Sequence, residues 1–192
     1  MDLLFITGLS GAGKTRAAAI CEDLSCYCVD NLPIELLPRL AELCMAAGSR
    51  YEHTALVMDV RSVRDKNELE KALAALDELP CTVRVLYLEA SPETIIRRYK
   101  ESRRRHPLAE GDGDIRGALE READLLSPLR ARADLVIDTT GMSLNRLKSG
   151  IRGLLQPGEP AFSVHIVSFG YKNGIPQEDI FVERNGEKCV NR

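Results

Sequence analysis

Residues 8–15 read Gly8-Leu9-Ser10-Gly11-Ala12-Gly13-Lys14-Thr15, GLSGAGKT. Gly8, Gly13, Lys14 and Thr15 satisfy the spacing G-x-x-x-x-G-K-[ST] of a phosphate-binding loop. The surroundings agree with the motif. The apolar run Leu3–Thr7 in front of it predicts a short buried strand, and the alanine-rich TRAAAICEDL (15–24) behind it predicts a helix. Backbone N–H groups converge on one concavity only where side chains stay out of the way, which Gly8, Gly11 and Gly13 allow. The helix N-terminus adds a dipole that favours anions. Lys14 supplies a point charge for the β- and γ-phosphates, and the Thr15 hydroxyl is the expected magnesium ligand. The stretch implies a nucleoside triphosphate bound with magnesium.

Working outward, apolar periodicity predicts strands at Tyr27–Asp30, Ala55–Val60, Thr82–Glu89 and Asp134–Asp138. Helices are expected at Pro33–Ala47, Asn67–Leu79, from Pro92 with Ser91 as cap, at Ile115–Leu129, and at Ser143–Leu155. Strands alternating with helices predict crossover units. The expected fold class is therefore α/β: a P-loop NTPase of the small-kinase type, with a mainly parallel sheet of about five strands flanked by helices. The Pro- and Gly-containing QPGEPA (156–161) predicts a boundary. Residues 1–156 would form the nucleotide-binding domain, and 157–192 a linker with the start of something else. The tail from Ser163 would have only an incomplete sheet to join.

Three further stretches carry chemistry. ALVMD ends on Asp59, and an acidic residue at the end of an apolar strand is where P-loop proteins hold magnesium. Asp30 after CYCV and Asp138 after LVI are its rivals. With Asp59 in that role, Asp59-Val60-Arg61-Ser62 lie beside the nucleotide in the crevice of an open sheet. The stretch RRYKESRRRHPL (97–108) holds Arg97, Arg98, Arg103, Arg104 and Arg105. It reads as a lid whose arginines, Arg104 among them, stabilise transition-state charge. Its alternatives, ranked behind the lid, are a solvated helix face and then a surface for an RNA backbone. His106 beside Pro107 reads as structural. In Cys28-Val29-Asp30-Asn31-Leu32-Pro33, Asp30 either accepts a proton from an attacking hydroxyl or water, or caps a turn. Lys14, Asp59 and Arg104 are thus the expected catalytic set, with Thr15 and Asp59 on the metal.

The composition excludes little else. The chain has 192 residues, 44% hydrophobic and 29% charged, with a net charge of −3. That is no blanket polyanion binder. The six cysteines form no C-x-x-C pair and read as reduced thiols. MDLLFITGLSG lacks a basic leader, and no apolar run reaches the roughly 18 residues of a membrane span. A cytoplasmic location without membrane contact is expected.

Taken in order, GLSGAGKT, YCVDNLP, DVR, RRRHPL, READLLSPLR, ADLVIDT and SFGYKNGIP make the chain resemble the RapZ/YvcJ family of bacterial nucleotide-binding proteins, over residues 1 to about 176. The resemblance implies an ATP site at Gly8–Thr15, a GTP-associated motif at Asp59–Ser62, and hydrolysis of both nucleotides. It also implies a regulatory role; some members are adapters that bring a small regulatory RNA to a ribonuclease through a C-terminal domain. Here the sequence departs from the family. After SFGYKNGIP it runs QEDIFVE and ends at RNGEKCVNR. The C-terminal domain is expected to be essentially missing, which weakens the case for an RNA or RNase partner. The expected function is therefore binding and hydrolysis of ATP and GTP with magnesium. The alternatives are a small-molecule kinase using Asp30 as base, and an RNA or RNase adapter with nucleotide as its switch.

Overall fold

Strand β1 (Asp2–Gly8) is apolar almost throughout because it lies at the middle of a parallel sheet and is covered on both faces. A computed structural model describes residues 2–33, 36–46, 51, 53–63, 65–78, 81–102, 105–109, 114–156, 181–184 and 187–190. The chain divides into two units, Met1–Ala161 and Phe162–Arg192. In the first, β1 is joined by β2 (Tyr27–Asp30), β3 (His53–Val57), β4 (Thr82–Glu89) and β5 (Leu135–Asp138). The five strands stand in the order β2-β3-β1-β4-β5, every pair parallel.

Side chains alternate across the sheet, and each face buries its own set. Leu3 and Phe5 of β1 face Leu37, Leu69, Leu73, Leu126 and Leu129. These come from α2 (Leu37–Met45), α3 (Lys66–Asp77) and the junction of α5 (Ile115–Leu125) with α6 (Ser127–Arg132). Leu4 and Ile6 face Ala17 and Ile20 of α1 (Lys14–Asp23), and Leu147 and Ile151 of α7 (Leu144–Leu155). The remaining helix, α4 (Pro92–Ser102), packs Ile95 with Leu119 of α5. Each fully buried Leu, Ile or Phe contributes about 1.5–3 kcal/mol through removal of apolar area from water.

Three expected boundaries move, each for a local reason. Helix α2 begins at Leu37 rather than Pro33, because Pro38 has no N–H to donate and is tolerated only in a first turn. The helix expected over 115–129 is two helices, divided at Leu126, with Pro128 in the first turn of the second. Strand β3 ends at Val57, not Val60; Asp59 lies beyond it and caps a 3-10 turn, Val60–Ser62.

In the second unit, β6 (Phe181–Arg184) and β7 (Glu187–Val190) pair antiparallel. This hairpin is not among the elements expected from apolar periodicity. The linker expected from 157 and the start of the tail from Ser163 lie outside the described residues.

Candidate active site

In a parallel sheet every strand ends on the same edge. Register pairs Ile6 with Val57, Gly8 with Leu88, Asp30 with Val57 and Glu89 with Asp138. The loops after β1, β2, β3 and β5 therefore converge above the point where the chain turns from one half of the sheet to the other. Gly8 opens the loop at φ +128°, and a Cβ there would lie 2.0 Å from the Leu88 carbonyl oxygen. Only glycine lets β1 run this close to β4. Leu9 N then donates to that same oxygen at 3.0 Å. Gly13 stands at the N-cap of α1 in the left-handed region, with no side-chain cap and no acid in the first helical turn. By contrast, the Asp114 side chain caps α5 and the Ser143 side chain caps α7. The start of α1 keeps its donors for an anion.

The Lys14 side chain folds back over this loop and donates from Nζ to the Gly8 carbonyl at 2.6 Å. Burial pushes its amine below the ordinary value, while the carboxylates of Glu122, Asp59 and Asp30 favour the charge. Across the cleft, Asp59 is only 14% exposed and receives Arg61 through Nε at 3.1 Å and through the backbone N–H at 3.1 Å. Burial raises the Asp59 carboxyl, but the Arg61 hydrogen bonds and Lys14 outweigh it and hold it below the usual carboxylate range. Arg61 Nη2 also reaches Asn31 Oδ1 at 3.5 Å. Asn31 itself follows β2 at φ +57°, a conformation Asn tolerates better than most residues.

Two arrangements brace the loop from outside. Arg98 of α4 donates to the Gly11 carbonyl at 2.8 Å and to the Thr139 carbonyl at 3.0 Å, while Thr139 Oγ1 donates to the Ala12 carbonyl at 2.8 Å. On the other side, Glu122 of α5 receives Ser10 N at 2.9 Å and Ser10 Oγ at 2.6 Å, and lies 3.1 Å from His106 Nε2. Tyr99, beside them, has its hydroxyl pushed up to about 12, by burial first and by Glu122 second.

One cleft of about 740 Å³ gathers Ser10 to Thr15, Asp59 and Arg61, together with Asp30, Asn31, Arg105 and Thr139. Of the expected residues outside that list, the Gly8 carbonyl holds Lys14, Leu9 packs into the apolar layers, Val60 is buried and Ser62 closes the 3-10 turn. Among the rivals of Asp59, Asp30 lines the cleft, whereas Asp138 accepts from Thr140 N at 2.8 Å and closes a turn. Arg104 lies outside the described residues, as does Arg103. Arg98, read as one of the lid arginines, is instead locked against the loop backbone and Thr139.

Glu122 and the Arg98–Thr139 brace are missing from the sequence reading. Glu122 had left a trace: it follows Ala118 and Leu119 by four and three positions and precedes Leu126 by four, so it sits on the buried stripe of its helix. An acid on an apolar stripe asks for a partner, but its partner Ser10 is 112 residues away.

For magnesium, the chemistry of the donor set fits. The cleft offers the Thr15 hydroxyl and the Asp59 and Asp30 carboxylates, all oxygen donors. Among the described residues no group of three or more His, Cys, Asp or Glu forms a metal site by itself. No described helix is long and apolar enough to cross a membrane.

Comparison with known proteins accords with this geometry. A nucleotide-binding protein of Bifidobacterium adolescentis is 45% identical over 182 residues, covering 94% of this chain and 58% of its own length. One from Desulforamulus reducens is 44% identical over 183 residues, covering 94% and 61%. The chain thus spans about three-fifths of the length of these relatives. Among solved structures, shikimate kinase from Acinetobacter baumannii in complex with shikimate superposes with a TM-score of 0.54 at 17% identity, over 82% of this chain and 94% of that one. At that identity the likeness concerns the P-loop kinase fold alone. The model of the RapZ-like N-terminal domain matches residues 1–158. The chain belongs to the RapZ-like N-terminal domain family.

Proposed function

We propose that this chain binds ATP and GTP with magnesium and hydrolyses them slowly, in the service of regulation. The observation that carries the reading is Lys14. Its buried ammonium rests on the Gly8 carbonyl at 2.6 Å, at the uncapped start of α1 and across the cleft from Asp59. A phosphate entering the loop meets backbone N–H groups and exchanges places with the Gly8 carbonyl as the partner of Nζ.

Magnesium, held by Thr15 and Asp59, supplies charge neutralisation at the phosphate oxygens when bound. The chain's own residues do the rest. Lys14 holds the triphosphate in line. Asp30, on the far wall, accepts the proton of the attacking water at its carboxylate. Arg61, held between Asp59 and Asn31 on the cleft wall, offers its guanidinium to the phosphates. Arg104 completes the charge stabilisation.

Regulation is the family's share of the proposal. In the longer relatives, nucleotide state would set the binding of a small regulatory RNA or a ribonuclease. A second reading, a small-molecule kinase, is favoured by one feature. The cleft continues past Lys14 to Asp30, Asn31, Arg61 and Arg105, which leaves room for an anionic acceptor.

The test measures phosphate release from ATP and from GTP as magnesium is titrated. Wild type is expected to turn over both nucleotides, and Asp59→Asn to need at least tenfold more magnesium. An unaltered magnesium dependence transfers the metal to Asp30. A phosphorylated acceptor formed in step with diphosphate refutes hydrolysis as the activity.

A further inference from the structure

We infer that Glu122 is a positioning residue that fixes the P-loop and the Arg105–His106 step to one another, so that Ser10 and Arg105 at the phosphate site hang on one buried carboxylate. The inference rests on the reading of the cleft as a triphosphate site.

The side chains of Glu122 and His106 are both fully shielded from water. A carboxylate persists in such a place only where its lone pairs are filled. Here Oε1 takes the Ser10 hydroxyl at 2.6 Å, and Oε2 takes the Ser10 backbone N–H at 2.9 Å and His106 Nε2 at 3.1 Å. The tautomer follows from the other ring nitrogen. His106 Nδ1 accepts from Leu108 N at 3.2 Å, so the proton sits on Nε2 and donates to Glu122.

Three separate pieces of chain meet at this carboxylate: the P-loop at Ser10, helix α5 at Glu122 itself, and the segment after α4 at His106. Arg105 immediately precedes His106 and lines the cleft together with Lys14. Consecutive Cα atoms are ~3.8 Å apart, so pinning His106 also fixes the origin of the Arg105 side chain. The Tyr99 ring, centred 5.5 Å from His106, closes the same corner. A Cβ added at Gly11 would lie 3.2 Å from that ring, so loop and helix are already in contact. A purely space-filling role would need only an apolar side chain at 122. What is present instead is a branched acceptor whose two oxygens serve the loop and the segment at once.

The experiment is a cycle of Ser10→Ala and His106→Asn in the full chain. It reads the dissociation constant for a non-hydrolysable ATP analogue, with the unfolding midpoint of each variant measured alongside. His106→Asn retains an acceptor for Leu108 N and loses the donor to Glu122. Contacts that share one carboxylate couple, whereas independent sites combine multiplicatively. The double variant is expected to depart at least threefold from the product of the single effects, and His106→Gln, which restores a donor near the place of Nε2, to recover at least half of the loss. A cycle that closes within threefold, while wild type binds the analogue, overturns the inference and leaves the triphosphate reading intact. Failure of wild type to bind the analogue overturns both. A second measurement needs no variant. The His106 Nε2 resonance is expected to move when wild type is saturated with the analogue, although the ring is buried; an unmoved resonance refutes the coupling.

Discussion

Replacing Gly8 by alanine tests whether the phosphate loop is built as described. The added methyl meets two costs. A side chain at φ +128° is strained by about 1–3 kcal/mol. The Cβ would also lie 2.0 Å from the Leu88 oxygen and 2.6 Å from the Leu88 nitrogen. Both are backbone atoms in the middle of the sheet, so no side chain can swing aside. Relief requires parting β1 from β4 at the loop, with loss of the 3.0 Å bond from Leu9 N to Leu88 O, worth about 1 kcal/mol. The strain and the lost bond together come to about 2–4 kcal/mol of stability. Gly13→Ala is the control: its φ is +110°, but a Cβ there meets nothing within 4 Å, leaving only backbone strain of about 1–2 kcal/mol. Urea unfolding of the two variants beside wild type gives the comparison. At ~2–4 °C per kcal/mol for a domain of this size, Gly8→Ala should also melt roughly 10 °C lower. Equal losses in the two variants, within about 0.5 kcal/mol, would refute the argument from close approach.

Other outcomes follow from the same geometry. Thr139→Val keeps the shape of the side chain and leaves the Ala12 carbonyl without its 2.8 Å donor; it should cost about 1–2 kcal/mol in urea unfolding, and no loss would remove Thr139 from the support of the loop. The Asp59 carboxyl is depressed in the folded state, so its contribution to stability is complete above the ordinary value of 3.8 and is lost as pH falls through the folded value. The stability difference between wild type and Asp59→Asn should therefore shrink between pH ~5 and ~3, and a difference that is flat or grows as pH falls contradicts the sign. Arg98→Ala releases Gly11 and Thr139 together and should weaken triphosphate binding at least fivefold in an equilibrium titration, whereas unchanged binding would make Arg98 a mere surface charge.

Most of the fold was legible because the information is local. A parallel strand buried on both faces reads as an unbroken apolar run, as LLFIT does, and TVRVLYLE and LVID also stand at the strands they predict. The misplaced boundaries share a cause. Met58 and Val60 continue the apolar run of β3, yet the Asp59 side chain takes the Arg61 N–H and turns the chain at that point. Pro38 and Pro128 each carry information about where a helix starts, and the apolar period alone overrode both. In the site, the loop itself was readable because a run of eight residues supplies both conformation and chemistry. The braces were not readable, because Ser10–Glu122 and Ala12–Thr139 join residues more than a hundred positions apart. Basic residues that look alike in sequence also separate in space: Arg98 is spent on backbone carbonyls, while Arg105 faces the cleft.

The proposed role of the Lys14 loop, to hold a triphosphate for attack by water, is tested most directly by its products. Diphosphate and inorganic phosphate should be counted together, with ATP and then GTP, in wild type and in Lys14→Ala. One phosphate per diphosphate is expected for both nucleotides, and a loss of at least tenfold in turnover or affinity in Lys14→Ala, equivalent to about 1.4 kcal/mol. No turnover by wild type, diphosphate formed without phosphate, or turnover untouched by the loss of Lys14 would contradict that role.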